Sequence, residues 1–195
     1  MTKYVTPDRF MADYNPALQT KLLSIGATHA GLAMNTSVPS LGLLASTYGD
    51  ETPVEWLVIQ LDTLNGFAEV KSKIRNEQIY ELAGLILAEY YYLNAAEILF
   101  FLARFKTGHY GTFYGAIDPM KITSGLIQYA EERRKDIDRY EREQDRLQRE
   151  DKSVKYNKLR VSYTEYQELK RRAEAGDEEA KRLLTPPNDM NKFSK

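Results

Sequence analysis

From Asn76 to Lys106 the chain carries apolar side chains on nearly every face that a helix could present. Ile79, Leu82, Ala83, Ile86, Leu87, Tyr90, Leu93, Ile98, Phe101, Leu102 and Phe105 follow three- and four-residue steps, and Leu85, Tyr91, Tyr92 and Phe100 fill the remaining directions. A helix that is apolar all round has to be buried all round, so other helices must wrap it. The stretch predicts one long buried central helix, about 45 Å at 1.5 Å per residue, at the heart of an all-α domain. Glu89, Asn94, Glu97 and Arg104 interrupt it too often for a membrane span, and MTKYVTPDRF lacks the charged-then-apolar order of a signal peptide. Neither membrane insertion nor secretion is expected, and the cytoplasm is the expected compartment.

The residue types present exclude several chemistries. The 195-residue chain has no cysteine, hence no disulfide, thiolate metal site or cysteine nucleophile, and its only histidines are His29 and His109. No carboxylate spacing matches a metal-binding loop, and no serine, histidine and acid form the pattern of a triad. No catalytic residue, metal or cofactor is assigned, and a non-enzymatic role is expected ahead of an enzymatic one. The formal net charge of −1 hides an asymmetry, because residues 1–70 carry three Lys/Arg against seven Asp/Glu and residues 71–195 carry 24 against 21. That slight positive excess is not the footprint that identifies a nucleic-acid binder by charge alone.

Start and stop signals divide the rest. Asn15-Pro16, Thr52-Pro53 and Asp118-Pro119 read as helix starts, with a capping side chain followed by proline at the first helical position. Gly26, Asn65-Gly66 and Gly108 read as stops. The helix opened at Pro119 runs into a charged stretch, with eleven Lys/Arg and nine Asp/Glu between 131 and 160. A four-three spacing passes through Leu126, Ala130, Arg133, Ile137, Tyr140, Gln144 and Leu147, but two of the seven positions are polar and one is alanine. Two readings therefore stand: a solvated helix held by pairs such as Asp138 with Arg142, or a homo-oligomer formed through 126–154. In the tail, Ser162 or Thr164, then Gly176, Asp177 and Pro186-Pro187 outline a helical hairpin. The expected organisation is a helical core over 1–130, a charged helical extension over 131–160, a hairpin over 161–187 and a disordered tail over 188–195.

The connection after the central helix holds the candidate binding residues. Gly108, Gly111 and Gly115 shape it, and Tyr110, Phe113 and Tyr114 interleave with Arg104, Lys106 and His109 before Asp118 and Pro119 close it. The glycines follow a helix, not a strand, so a phosphate cradle of the P-loop kind does not fit. Rings alternating with cations are what a single-stranded nucleic-acid platform uses, whereas a purely structural reading makes the rings a plug between two helices. Glu97 and Arg104 lie seven apart and face nearly the same way. A buried Glu97 is either a raised-pKa acid or one half of a structural pair, and His29 reads as a packing or surface residue.

The stretch from Val54 to Arg134, with Gln78-Ile79, then Phe100, Phe101, Arg104, Phe105, Lys106 and Gly108, then Tyr110, Gly111, Phe113, Tyr114, Gly115, Asp118 and Pro119, resembles a family of functionally uncharacterised proteins of bacteriophages, prophages and other mobile elements. The segment from Tyr166 to Pro187 is a second, weaker match. The resemblance implies a phage setting and an association with DNA-replication modules, so the expected partners are a replication protein or single-stranded DNA, met in the cytoplasm of a bacterial host cell. A virion or assembly protein that packs through its long charged helix is the alternative.

Overall fold

The computed structural model describes residues 6–113, 115–159 and 162–184, with side chains as far as 154 in the second stretch. Among these residues there are ten helices and no strand: α1 (Pro7–Asp13), α2 (Leu18–Ser24), α3 (His29–Ala33), α4 (Leu41–Tyr48), α5 (Glu51–Phe67), α6 (Asn76–Glu89), α7 (Ala95–Lys106), α8 (Pro119–Leu159), α9 (Tyr163–Glu174) and α10 (Glu178–Leu184). The all-α expectation holds. The proposed binding residue Tyr114 and the tail 188–195 lie outside the described residues. The chain forms two compact units, Met1–Glu141 and Arg142–Lys195.

In the first unit α7 is the centre. Ten of its twelve residues are buried, from Ala95 to Phe105, and α2, α3 and α5 pack around it while α5 also meets α4 and α6. Trp56, Leu57, Leu61 and Leu64 are the face that α5 turns inward, a three- and four-residue stripe. The apolar stretch 76–106 is nevertheless not one helix. α6 stops at Glu89, and the chain turns through Tyr90–Asn94 before α7 begins. Asn94 restarts the helix: its Oδ1 accepts from Glu97 N, and Glu97 Oε2 accepts from Asn94 N, each at 3.0 Å, so two otherwise unpaired amides satisfy one another. The turn is also stitched to an earlier segment. Leu41 N donates to Leu93 O at 2.9 Å, Gly42 N to Tyr91 O at 2.8 Å and Ala95 N to Pro39 O at 3.0 Å. The two pieces differ in burial as well, since α6 leaves Tyr80 and Leu85 more than half exposed.

Two starts differ from the signals read. α2 begins at Leu18, two residues after Pro16, and α5 begins at Glu51, one residue ahead of the Thr52-Pro53 pair, and runs on past Gly66 to Phe67. α6 is preceded by Arg75, whose N–H donates to Gln78 Oε1 at 3.2 Å. Asp118-Pro119 does open α8, with Asp118 Oδ1 accepting from Met120 N at 2.9 Å. The first turns of α8 face the core through Ile122, Leu126 and Tyr129, none of which reaches solvent. From Asp138 to Val154 the helix is exposed except at Gln144, as its charge content requires.

In the second unit α9 and α10 pair as a hairpin. Ser162 Oγ accepts from Glu165 N at 3.2 Å, Gly176 turns the chain with φ 100°, and Asp177 Oδ1 accepts from Glu179 N at 3.0 Å. Among the described residues of this unit, Ala180 is the one buried completely. No helix among the described residues is long and apolar enough to cross a membrane.

Candidate functional site

The last turn of α7 sends two cations in different directions. Arg104 reaches toward α3 and α8; Lys106 reaches toward α2 and α5. What each one meets decides what the loop between them can do.

On the Arg104 side the hub is Glu132 of α8. Arg104 Nη1 lies 3.1 Å from Glu132 Oε2, His109 Nε2 lies 3.1 Å from Oε1, and His29 Nε2 lies 3.4 Å from Oε2. Tyr110 Oη donates to Oε2 at 3.4 Å and Gln128 Nε2 to Oε1 at 3.1 Å. The Arg104 guanidinium also touches Nε2 of both histidines. Every histidine in the chain thus converges on one carboxylate. Burial and the adjacent Arg104 hold His29 below its ordinary 6.5, so it is neutral at pH 7. Nδ1 of His29 is buried without a partner among the described residues. Partial burial works against ionisation of Glu132, but hydrogen bonds from His109 and Gln128 and the charge of Arg104 outweigh it and hold the carboxyl below its ordinary 4.5. Glu132 is 27% exposed, and the cluster opens into no described cavity.

Tyr110 belongs to this side. Its ring is 9% exposed and packs against Phe101 at 5.3 Å, with Arg104 5.5 Å above it. Burial pushes its hydroxyl far above the ordinary tyrosine range. Glu97, fully buried, is paired not with Arg104 but with Arg133, whose Nε donates to Oε1 at 2.6 Å. The structural half of the Glu97 alternatives is the one observed: an N-terminal cap tied to an arginine of α8.

On the Lys106 side there is a hollow of about 360 Å³ between the end of α5, the segment after it and the loop. Leu64, Phe67, Val70, Phe105 and Phe113 form its apolar walls, and Gly108 and Gly111 its lip. Lys106 Nζ donates to Gln19 Oε1 and Thr63 Oγ1, both at 2.8 Å, and lies 5.8 Å from the Phe67 ring centre. Phe67 is 60% exposed. Burial lowers the Lys106 ammonium from its ordinary 10.5. A parallel bridge of Ser72 with Ala116 lays the segment carrying exposed Lys71 and Lys73 beside the loop, and Lys121 Nζ donates to Thr112 O at 2.9 Å.

The glycines act as expected. Gly108, Gly111 and Gly115 have φ of 82°, 100° and 74°, a region that a side chain disfavours. Of the proposed binding residues, Arg104, His109 and Tyr110 therefore share the Glu132 cluster, and Lys106 and Phe113 share the hollow. Gln19, Thr63, Phe67 and Glu132 were not singled out in the sequence. A signal existed only for Glu132, four residues after Gln128 on one helix face. Among the described residues no group of three or more histidines and carboxylates is arranged to hold a metal ion.

The chain belongs to DUF6633, a family of unknown function, whose model matches residues 73–177 and so takes in α6, α7, the loop, all of α8 and α9. No curated protein and no solved structure matches the chain.

Proposed function

We propose that this family member is a non-enzymatic accessory protein of a phage or mobile-element DNA-replication module, working in the cytoplasm of a bacterial host cell. It engages a replication protein, or single-stranded DNA, through the connection between α7 and α8. One observation carries the reading: the loop is fastened to α8 from behind by Arg104, His109 and Tyr110 on Glu132, while Lys106 and Phe113 face an open hollow beside exposed Phe67. One cation at the end of α7 and two rings, Phe67 at the end of α5 and Phe113 in the connection, presented beside a hollow suit recognition, and side chains already held in place lose little ordering entropy on binding. The histidines, the usual acid–base groups, are occupied within the cluster by Arg104 and Glu132. Geometry favours a protein partner over DNA. Tyr110 is in the core and cannot stack on a base, and the charges of Arg104 and His109 are met by Glu132.

Fluorescence anisotropy with a labelled single-stranded oligonucleotide across a salt series tests the DNA arm. Binding that weakens steeply with salt, and more gently in Lys71→Ala, Lys73→Ala and Lys121→Ala, supports it; no salt-sensitive binding at micromolar protein leaves the protein partner. Neighbouring replication genes would support the module assignment, and neighbouring capsid or tail genes would count against it.

The assembly reading keeps one observation of its own. Tyr140, Leu147 and Val154 stand about half exposed at seven-residue intervals on α8, the spacing of one coiled-coil position. Light scattering that shows an oligomer dissolved by Leu147→Asp would favour it; a monomer before mutation would remove it.

A further inference from the structure

Lys106 is a half-buried cation that no carboxylate among the described residues pairs with. An ammonium has three hydrogens; Gln19 Oε1 and Thr63 Oγ1 accept from it at 2.8 Å, and both are neutral. Among the described residues no carboxylate forms an ion pair with Lys106, and Glu69, the acidic residue among those lining the hollow, is exposed to solvent. Gln19 is not free to turn its amide around. Its Nε2 donates to Gln60 Oε1 at 3.1 Å, and Gln60 Nε2 donates to Tyr14 O at 3.2 Å. Both glutamines are at most 3% exposed. This relay runs in one direction from a backbone carbonyl to the ammonium, so the cation is fixed in place by buried amides. Holding an unbalanced charge away from water is unfavourable, and an anion arriving in the hollow would offset that.

The surroundings narrow the anion. Lys106 is the one cation among the described residues that line the hollow, and a single positive charge balances a singly charged carboxylate better than a multiply charged phosphate. The walls at Phe67, Val70 and Phe113 accept an apolar group of about one large side chain. The hollow is open on one side, with nothing within 4 Å of where a Cβ on Gly111 would stand, so an occupant can continue outward as a chain. Exposed Lys71 and Lys73 lie on the segment paired with the loop, which suits an acidic stretch leading to the carboxylate.

We propose that the hollow takes the C-terminal end of an extended acidic partner chain, with the terminal carboxylate on Lys106 Nζ and the last apolar side chain between Phe67 and Phe113. Capture of a chain end by its carboxylate is an established mode of peptide recognition. The inference rests on the reading that the loop binds a protein partner, and it names the part of that partner which is bound.

The test uses the full chain and three fluorescence or competition probes: a labelled acidic hexapeptide ending in phenylalanine with a free carboxylate, the same peptide ending in an amide, and 3-phenylpropanoate. The free-acid peptide binds saturably, the amide binds at least roughly tenfold more weakly, and Lys106→Met removes the difference between them. Phe67→Ala, at an exposed position, weakens both peptides while leaving the melting temperature unchanged, which guards against a Lys106→Met variant that misfolds. Equal binding of acid and amide, an unchanged ratio in Lys106→Met, or no binding of the acid peptide at millimolar concentration overturns the inference. Competition by 3-phenylpropanoate as strong as by the peptide also overturns it, in favour of a small carboxylate. Salt-sensitive oligonucleotide binding dependent on Lys71 and Lys73, without peptide binding, sinks the inference while the loop-binding reading stands. Capsid-gene neighbours together with a Leu147-dependent oligomer sink that reading separately.

Discussion

Arg104 and Lys106 leave the same turn of α7 two residues apart, yet one enters a closed electrostatic circle and the other an open one. Arg104 meets an ionised carboxylate, two imidazoles and two aromatic faces. Lys106 meets an amide oxygen, a hydroxyl and one ring. The first arrangement fastens the loop. The second leaves a charge available to something from outside, and the difference teaches which face of the loop to test for binding.

The largest expected effect comes from breaking the closed side. Glu132→Gln leaves Arg104 facing two histidines with no counter-charge, and should destabilise by about 2–3 kcal/mol, less than for a fully buried pair because Glu132 is partly exposed. Urea midpoints of the mutant within error of wild type would show that the cluster does not fasten the loop. Gly125→Ala strikes both sides at once. A Cβ there would stand 2.9 Å from Phe105 Cε2 and 3.1 Å from Tyr110 Cβ, and the overpacking should cost about 1–3 kcal/mol.

Acid sharpens the contrast next. His29 titrates below its ordinary 6.5 in the fold, so below 6.5 the unfolded chain takes up a proton that the folded chain resists. Stability supplied by neutral His29 is present above 6.5 and is lost as pH falls toward its lower folded value. Glu132, also lowered, adds a second loss below 4.5. Wild-type midpoints should therefore drop between pH 7 and pH 5, and His29→Gln should flatten that step; an unchanged slope would break the assignment. On the Lys106 side the sign is the same, but the window lies at higher pH. Its lowered ammonium makes folding more favourable as pH rises toward 10.5, so any advantage of Lys106→Met should shrink between pH 8 and pH 10. The smallest effect is that substitution itself at pH 7. Removing an unbalanced charge while unpairing two neutral acceptors should change stability by no more than about 1 kcal/mol, far less than Glu132→Gln in parallel melts.

Local signals were readable in the sequence and distant ones were not. Asp118-Pro119, the glycines at 108, 111 and 115, and the Ser162, Gly176 and Asp177 punctuation each specify backbone geometry through a residue's own chemistry, and all act as expected. The break at Tyr90–Asn94 was also written there. Asn94 and Glu97 have the spacing of a reciprocal helix cap, but continuous apolar residues on both sides masked it. Glu132 is one of many charges on α8, and only folding brings it to Arg104 and both histidines. Gln19 and Phe67 became site residues in the same way, through helices that approach Lys106 from distant parts of the chain. Tyr110 shows the cost of reading composition as surface: a ring beside cations suggested stacking, and the ring is in the core.

The stitching of the 90–94 turn bears on how far relatives can diverge. The turn lies within residues 73–177 that the family shares, but the groups that close it, Leu32 O, Pro39 O and the N–H groups of Leu41 and Gly42, come from an earlier segment. All four are main-chain atoms. The seam asks that segment for a path, a buried apolar residue at 41 and, where Tyr91 approaches within 3.3 Å, the absence of a side chain at 42. Its exposed side chains can drift without opening the joint between α6 and α7, whereas Leu32 and Leu44 stay committed to the core on which that joint sits.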